Sequence, residues 1–178
     1  SNIQDFLGHE WKTSEVYNLT SRKVWQAHVP SSTMPKLKLP VTRVLFLQTN
    51  SSSCDSKSQC AKLVHELQLK HMSQWKEPDI VYNFLVSGDG SIFEGRGWNF
   101  QTTFSDYSSS KTVMIAFLGE FETNPPTLRQ AESAKLFIDV AVMKGNLESC
   151  YNILILGENR FFIDMAQSIK QERFNCQN

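Results

Sequence analysis

One segment constrains the fold of this chain more than any other: residues 79–99, which read DIVYNFLVSGDGSIFEGRGWN. The apolar run 80–86 leads into Gly-Asp-Gly at 88–90, and a second β-prone run covers 91–94. Asp-Gly between two such runs is a strong hairpin signal, because glycine adopts positive φ without steric cost. The sequence therefore predicts two antiparallel strands, a tight turn, and then the polar and aromatic segment GRGW at 95–98.

The chain has the size and composition of one globular domain. Its 178 residues are 40% hydrophobic and 20% charged, which suits a domain with its own core. The 18 basic and 18 acidic residues cancel, so no excess positive charge indicates a nucleic acid or an anionic membrane as partner. No apolar run approaches the roughly 20 residues that cross a bilayer. We expect an N-terminal arm at 1–20 and a single domain at 21–178.

Cysteines and glycosylation sequons favour the secretory route. Cys54 and Cys60 are near enough in sequence for a local disulfide, which leaves Cys150 and Cys176 as the candidate second pair, although four cysteines allow three connectivities. The alternative is a cytosolic protein with four free thiols. Two N-glycosylation sequons add support for secretion, and they begin at Asn18 and Asn50.

Hydrophobic periodicity predicts strands that alternate with three helices. A continuous apolar run indicates a strand covered on both faces, whereas apolar positions at i, i+4 and i+7 indicate an amphipathic helix. We expect an α/β (mixed α+β) fold, in which a central mixed β-sheet is flanked by about three helices. Besides the hairpin, the predicted strands are 42–48, 111–118 and 153–156, and the predicted helices are 57–75, 127–144 and 161–174.

The hairpin segment also resembles the signature of a known family. The pattern YNFLV-x-GDG-x-x-x-EGRGWN is similar to that of the peptidoglycan recognition proteins, which are related to phage-type zinc amidases. The segment SRKVWQA at 21–27 resembles the opening motif of that family, and the resemblance extends over roughly residues 21–160. It implies an amidase-like fold and a short disulfide between Cys54 and Cys60.

A zinc amidase needs about three protein ligands and an open position for water. The four histidines form no HxxxH, HxH or HExxH pair, and His71 fits the apolar stripe of its helix as a core residue. Catalytic family members have His-His-Thr where this chain has Leu47-Gln48-Thr49, and a second histidine where it has Gly-Glu-Asn-Arg at 157–160. Of the active-site set, Tyr82 alone remains. We therefore expect no catalytic residues, no metal ligands and no cofactor.

Non-catalytic family members bind muropeptide in a groove on the same face. The groove segment Gly-Ala-His-Thr of the family falls on residues 102–105 here, which read TTFS. Since these changes add bulk, we expect the groove to be narrowed or filled. Three residues remain candidate ligand contacts: Tyr82, Arg96 and Trp98. Arg96 either recognises a diaminopimelate carboxylate, as in the family, or forms an ion pair with Glu94 or another carboxylate. Trp98 fits a core position better than sugar stacking.

The helix predicted at 127–144 has two apolar faces. One of them suits docking on the sheet: Leu128, Ala131, Ala134, Phe137, Ile138, Ala141 and Val142. On the opposite face, a second stripe lies among charged residues and predicts a partner interface. The candidate interface residues are Arg129, Glu132, Leu136, Val140 and Met143. The alternative is that the arm covers this stripe with Trp11 or Tyr17.

Together these features indicate a non-catalytic co-receptor for bacterial muropeptide in innate immune signalling. Its partner would be a paralogous ectodomain that carries bound muropeptide, with a diaminopimelate-type stem suspected. The sequence begins without Met or a signal peptide, which fits a mature chain or an excised ectodomain. The resemblance implies an extracellular domain, the ectodomain of a single-pass plasma-membrane receptor anchored through a segment outside this sequence. One alternative is direct binding of peptidoglycan in its own groove. The other is a degenerate N-acetylmuramoyl-L-alanine amidase.

Overall fold

A computed structural model of the chain describes residues 17–104, 106–170 and 176. Most of the predicted arm, including Trp11, lies outside these residues, as do Ser105 of the groove segment and the last positions of the predicted C-terminal helix. The last two residues of the predicted arm form a short strand and join the sheet.

Six strands form one mixed sheet with the order β1-β4-β3-β5-β2-β6. The predicted hairpin is confirmed, since β3 and β4 pair antiparallel, whereas the other neighbouring strands pair parallel. The strands are β1 (Leu19–Thr20), β2 (Val41–Gln48), β3 (Phe84–Val86), β4 (Ile92–Glu94), β5 (Thr112–Phe117) and β6 (Leu147–Ile155). Strand β3, the first of the hairpin, is shorter than the apolar run at 80–86 that predicted it. Strand β6 is longer than the strand predicted at 153–156.

Three helices flank the sheet: α1 (Lys57–Ser73), α2 (Leu128–Met143) and α3 (Arg160–Lys170). Ser56 caps α1 by accepting a hydrogen bond from the Gln59 N–H. Thr127 and Gln130 form a reciprocal capping box at the start of α2. All three helices begin within one residue of their predicted starts.

The helices divide the core between the two faces of the sheet. Alternate residues of β2 face opposite sides, so Leu45 packs with α1 while Val44 and Phe46 pack with α2 and α3. On the α1 side, four of the five positions of the predicted stripe are buried: Cys60, Val64, Leu67 and His71. The fifth, Trp75, lies beyond the end of the helix at Ser73 and is 38% exposed, which corrects the prediction. The observed mixed sheet between helices is the fold class that the sequence predicts.

Buried side chains fix α2 to the hairpin. The Gln130 side-chain amide donates to the carbonyl oxygens of Val86 (2.8 Å) and Leu118 (3.2 Å). The Thr127 hydroxyl donates to the carbonyl oxygen of Gly88 at 2.6 Å. Because these bonds satisfy strand-end carbonyls that the helix covers, they hold the start of α2 against the β3–β4 turn.

Both expected disulfides are present. Cys54 is joined to Cys60 beside the start of α1, and Cys150 in β6 is joined to Cys176. No helix within the described part of the chain is long and apolar enough to cross a membrane.

Candidate functional site

The segment that follows the hairpin is organised by one buried amide. Asn83 donates from Nδ2 to the carbonyl oxygens of Gly97 (3.0 Å) and Phe100 (2.7 Å). Its Oδ1 accepts a hydrogen bond from the Met114 N–H at 2.8 Å. One side chain therefore joins the loop after β4 to β5. The sequence signal for this role is a polar residue inside an otherwise apolar run, which our sequence analysis did not use.

Glycine at position 95 allows this segment to approach the strand closely. A Cβ on Gly95 would lie 2.1 Å from the carbonyl oxygen of Tyr82. That same oxygen accepts a hydrogen bond from the Arg96 N–H at 2.9 Å. A side chain at position 95 would break this contact, so the first glycine of the GRGW segment is required for packing.

Arg96 is buried and its guanidinium is engaged by the protein itself. Nε donates to the Ile80 carbonyl oxygen (2.7 Å), and Nη1 donates to the Gln101 carbonyl oxygen (3.0 Å) and the Thr103 hydroxyl (3.2 Å). Nη2 forms an ion pair with Glu77 Oε2 at 3.3 Å. Burial lowers the pKa of Arg96, while the charges of Asp79 and Glu77 oppose that shift. Of the two interpretations of Arg96, the structure has the ion pair, with Glu77 and not Glu94 as the partner.

An aromatic stack covers the surface near Tyr82. The His71 ring stacks on the Trp75 indole with centroids 4.3 Å apart, and the indole stacks on Phe104 at 4.8 Å. Tyr82 lies buried beneath, edge-on to His71 at 5.2 Å, and burial raises the pKa of Tyr82 to about 12. We call His71, Trp75 and Phe104 the aromatic stack. Because Phe104 belongs to the predicted groove segment, the stack lies where the resemblance locates the groove.

Polar contacts hold residues 102–104 of the groove segment against the chain that follows α1. The Thr103 hydroxyl donates to Glu77 Oε2 at 2.7 Å, the oxygen that also pairs with Arg96. Thr102 is fully buried, and its hydroxyl accepts a hydrogen bond from the Phe104 N–H. The segment 102–104 is thus tied both to the chain after α1 and to the buried arginine. Glu77, Thr103 and Trp75 were missed as a group by sequence reasoning, because they meet only in the tertiary structure.

His71 is a core histidine, as its position on the helix predicts. It is fully buried, and its Nδ1 accepts a hydrogen bond from the Val81 N–H at 3.0 Å. Burial, together with the positive charges of Lys70 and Arg96, lowers the pKa of His71 to about 4. The ring is therefore neutral at physiological pH and carries its proton on Nε2, for which the described residues offer no hydrogen-bond partner.

Trp98 does not join Tyr82 in one site. It packs with Phe84 and Phe137 in the core on the α2 side, whereas Tyr82 belongs to the core on the α1 side. Trp98 and Arg96 border a cavity of about 450 Å³, whose lining does not include Tyr82. The three predicted ligand contacts are thus distributed over two faces of the sheet, and Trp98 occupies the core position that we favoured.

The residues at the family's zinc position do not fit a metal. Leu47, at the end of β2, is half-buried and packs with Leu154 and Leu156 against the α1-side core. Leucine side chains offer no metal donor. In the loop before α3, Asn159 accepts a hydrogen bond from the Phe162 N–H and so caps the helix. Among the described residues, no three His, Cys, Asp or Glu side chains are grouped to hold a metal ion.

The second apolar stripe of α2 is interrupted, which corrects the predicted interface. Val140 is buried and lines a small pocket together with Tyr17, whose ring packs edge-on against Phe137 at 5.3 Å. Leu136 is half-buried, whereas Met143 is 74% exposed. The alternative in which the arm covers part of the stripe through Tyr17 is thus partly confirmed. Leu128, predicted to dock on the sheet, is instead 74% exposed at the first position of the helix.

Three of the remaining interface candidates line a shallow cleft that also contains Asn18, the asparagine of one glycosylation sequon. Arg129, Glu132 and Leu136 line this cleft together with Tyr17 and Asn18. The exposed Asn18 side chain donates to the Ser91 hydroxyl at 3.1 Å. The other sequon asparagine, Asn50, is exposed after β2 and has φ of 54°. A glycan on Asn18 would project beside the charged residues of α2.

Comparison with known proteins gives consistent matches to one family. The sequence profile of the family described as N-acetylmuramoyl-L-alanine amidase matches residues 38–173. Peptidoglycan-recognition protein 2 from Holotrichia diomphalia is 32% identical over 136 residues, which cover 76% of this chain and 72% of that protein.

Solved structures agree with the sequence matches. The ectodomain of the Drosophila transmembrane receptor PGRP-LCa is 33% identical and superimposes with a TM-score of 0.72, over 76% of this chain and 82% of that one. A structure of tracheal cytotoxin bound to the ectodomain complex of PGRP-LCa and PGRP-LCx gives 30% identity and a TM-score of 0.73, over 77% and 82% of the two chains.

Proposed function

The chain belongs to the peptidoglycan recognition protein family, and from that premise we propose that it is a non-catalytic co-receptor domain. In this proposal it senses bacterial muropeptide in innate immune signalling without holding the muropeptide in its own groove. It binds instead to a related ectodomain that has already bound the ligand. The observation that carries the proposal is the aromatic stack, in which Phe104 lies over Trp75 where a ligand would enter.

Two further features support a closed groove. Thr103 is bound to Glu77, so the segment that carries Phe104 is fastened at a second point. Arg96 makes four contacts within the protein, and a ligand carboxylate would have to displace the Glu77 ion pair to reach it. Breaking a buried ion pair is costly because it leaves an unpaired charge. Tyr82, Arg96 and Trp98 act in this proposal as structural residues.

The proposed lack of amidase activity rests on the side chains at the zinc position. Leu47 and its leucine neighbours surround the end of β2 with apolar groups, and a metal-bound water needs oxygen, nitrogen or sulfur donors instead. The buried Tyr82 hydroxyl, with its pKa raised to about 12, stays protonated at physiological pH.

The proposed partner is a paralogous domain that carries a muropeptide of the diaminopimelate type. The solved complex of PGRP-LCa and PGRP-LCx with tracheal cytotoxin supports this idea, since this chain is similar to PGRP-LCa, a transmembrane receptor ectodomain. We propose that this chain is likewise the extracellular domain of a single-pass plasma-membrane receptor. The proposed contact residues on α2 are Arg129, Glu132, Leu136 and Met143, with the buried Val140 removed from the set.

Calorimetry tests the proposal directly. A monomeric diaminopimelate-type muropeptide is titrated into this domain alone, and then into an equimolar mixture with a paralogous ectodomain whose groove is intact. We expect no heat of binding from this domain alone, and association of the two domains only when the muropeptide is present.

Each of three other results would reject the co-receptor role. One-to-one binding of muropeptide by this domain alone would mean that its own groove is open and that it is a direct receptor. Release of the stem peptide from the muropeptide by the purified domain would mean that it is an amidase. Absence of ligand-dependent association with any paralogous ectodomain would reject the partner.

A further inference from the structure

Two histidines that play no part in the proposed groove lie side by side at the surface. His28 is exposed in the turn before β2, and His65 is half-buried on α1. Their ring centroids are 5.2 Å apart, with an angle of 38° between the ring planes. The two residues are 37 positions apart in sequence, so the tertiary structure alone brings them together.

The protein fixes which nitrogen of His65 carries the proton. Nδ1 of His65 lies 3.0 Å from the carbonyl oxygen of Gln26. A carbonyl oxygen can only accept a hydrogen bond, so Nδ1 is the donor and the neutral ring keeps its lone pair on Nε2. Histidines that bind metals usually donate their other ring N–H to a carbonyl or a carboxylate in this way, which orients the ring and raises its basicity.

His28 is also held in position, through its backbone. The Gln68 side chain accepts a hydrogen bond from the His28 N–H at 2.8 Å and donates to the His28 carbonyl oxygen at 3.0 Å. Gln68 is fully buried and donates to Asp79 at 2.9 Å, so this clamp is itself anchored. His28 is exposed, and its ring lies beside that of His65. The loop between β1 and β2 and the helix α1 therefore hold the two residues side by side.

The spacing of the rings suits joint coordination of one ion. Zinc lies about 2.0–2.1 Å from a ligating imidazole nitrogen, so two imidazoles on one tetrahedral ion have ring centres roughly 5 Å apart. The observed centroid distance of 5.2 Å agrees with that value. We propose that His28 and His65 form a surface site for a divalent transition metal that prefers imidazole, such as Zn²⁺, with water in the other positions.

This site is distinct from the zinc position of the amidases. It is built from the turn at 21–28 and from α1, whereas the amidase ligand position falls on Leu47 at the end of β2. The buried His71 cannot contribute, because its Nδ1 is occupied by the Val81 N–H. The proposal is independent of whether the groove binds muropeptide.

Titration calorimetry with zinc chloride tests the site on the intact chain. We expect one zinc ion per chain, and we expect binding to be lost in both His28→Gln and His65→Gln. The matched control is His9→Gln, which removes a histidine outside the described residues and should leave binding unchanged. A rise in melting temperature with zinc, present in the wild type and the control but absent in the two site variants, is the second readout.

Three results would overturn the proposed zinc site. Absence of zinc binding by the wild-type chain would overturn the proposal. Binding that survives either site variant, or that disappears with His9→Gln, would show that other side chains hold the ion and would overturn it as well. Because both site histidines are at the surface, their substitution should leave the fold intact, and urea unfolding of each variant verifies this.

Discussion

The indole of Trp75 and the ring of Phe104 are stacked 4.8 Å apart with only 9° between their planes. Trp75 follows α1 and Phe104 follows the GRGWN segment, so the contact links two separate parts of the chain across the surface where a ligand groove is expected. Both rings remain partly exposed, at 38% and 42%. The two rings thus contact each other at the protein surface and are not part of the hydrophobic core.

We expect the Trp75–Phe104 contact to show energetic coupling. In a double-mutant cycle of Trp75→Ala and Phe104→Ala, the coupling energy should be about 0.5–1.5 kcal/mol, as for other aromatic pairs. Urea unfolding measures it. The control is Phe161→Ala, which removes a phenyl ring of the same 42% exposure on α3 and should not couple to Trp75. Coupling near zero for Trp75 and Phe104 would mean that the two rings do not stack in solution.

Arg96 should matter for stability more than for ligand contact. Arg96→Gln removes the charge that pairs with Glu77 and leaves the carbonyl oxygens of Ile80 and Gln101 without their donor, so we expect a loss of about 3–5 kcal/mol in the free energy of unfolding. Arg160→Gln removes an exposed ion pair with Asp164 and should change it by less than about 1 kcal/mol. If both variants are equally stable, Arg96 is not the structural residue described above.

The lowered pKa of His71 predicts acid destabilisation. The folded pKa of about 4 lies below the ordinary 6.5, so the unfolded chain binds a proton that the folded chain excludes between these values. Stability from this group is complete above about pH 6.5 and is lost as the pH falls toward 4, by about 3 kcal/mol in total. We expect the free energy of unfolding of the wild type to fall more steeply between pH 7 and pH 4 than that of His71→Phe. Parallel curves would contradict the assigned pKa.

The hairpin turn should tolerate no side chain at Gly90. Its φ is +88°, and a Cβ would lie 2.8 Å from the Ser133 hydroxyl of α2. Gly145 also has positive φ, at +76°, but a Cβ there would meet nothing within 4 Å. Gly145→Ala should therefore lower stability by about 1 kcal/mol through backbone strain alone, and Gly90→Ala by more than that. Equal losses in urea unfolding would show that the Ser133 side chain turns away from the added methyl group without cost.

The proposed partner surface on α2 predicts a charge effect. Arg129→Glu should weaken the ligand-dependent association with the paralogous domain by about tenfold or more, because charged rims steer and align interfaces. The control is Arg160→Glu on α3, with the same change of charge. Surface plasmon resonance measures both. Loss of affinity in the control alone, or in neither variant, would move the interface away from α2.

The cleft shared by Asn18 and α2 adds a second test of that surface. We expect glycosylated protein from secretory cells to associate more weakly than its Asn18→Gln variant, because a glycan at Asn18 would stand beside Arg129 and Glu132. Asn50→Gln is the matched control, since it removes the other sequon without touching this cleft. Equal affinities for all three proteins would indicate that the partner binds elsewhere.

The sequence by itself determined the elements and the family. The Asp-Gly turn and the apolar runs depend on local backbone preferences and on periodicity, so the hairpin and the three helices were predicted. The spacing of the cysteines favoured the two disulfide pairs, although it left three connectivities open. The resemblance to the family also aligned Leu47 with a metal position, and a missing metal donor needs no structure to detect.

The tertiary structure alone decided how distant side chains combine. It directed Trp98 and Tyr82 to opposite faces of the sheet and paired Arg96 with Glu77 instead of Glu94. It also buried Val140, which lines a pocket together with Tyr17. Each outcome depends on contacts between residues far apart in the chain, whose partners a periodicity argument cannot name. The stack of Phe104 on Trp75 likewise exists only because folding brings the two rings together.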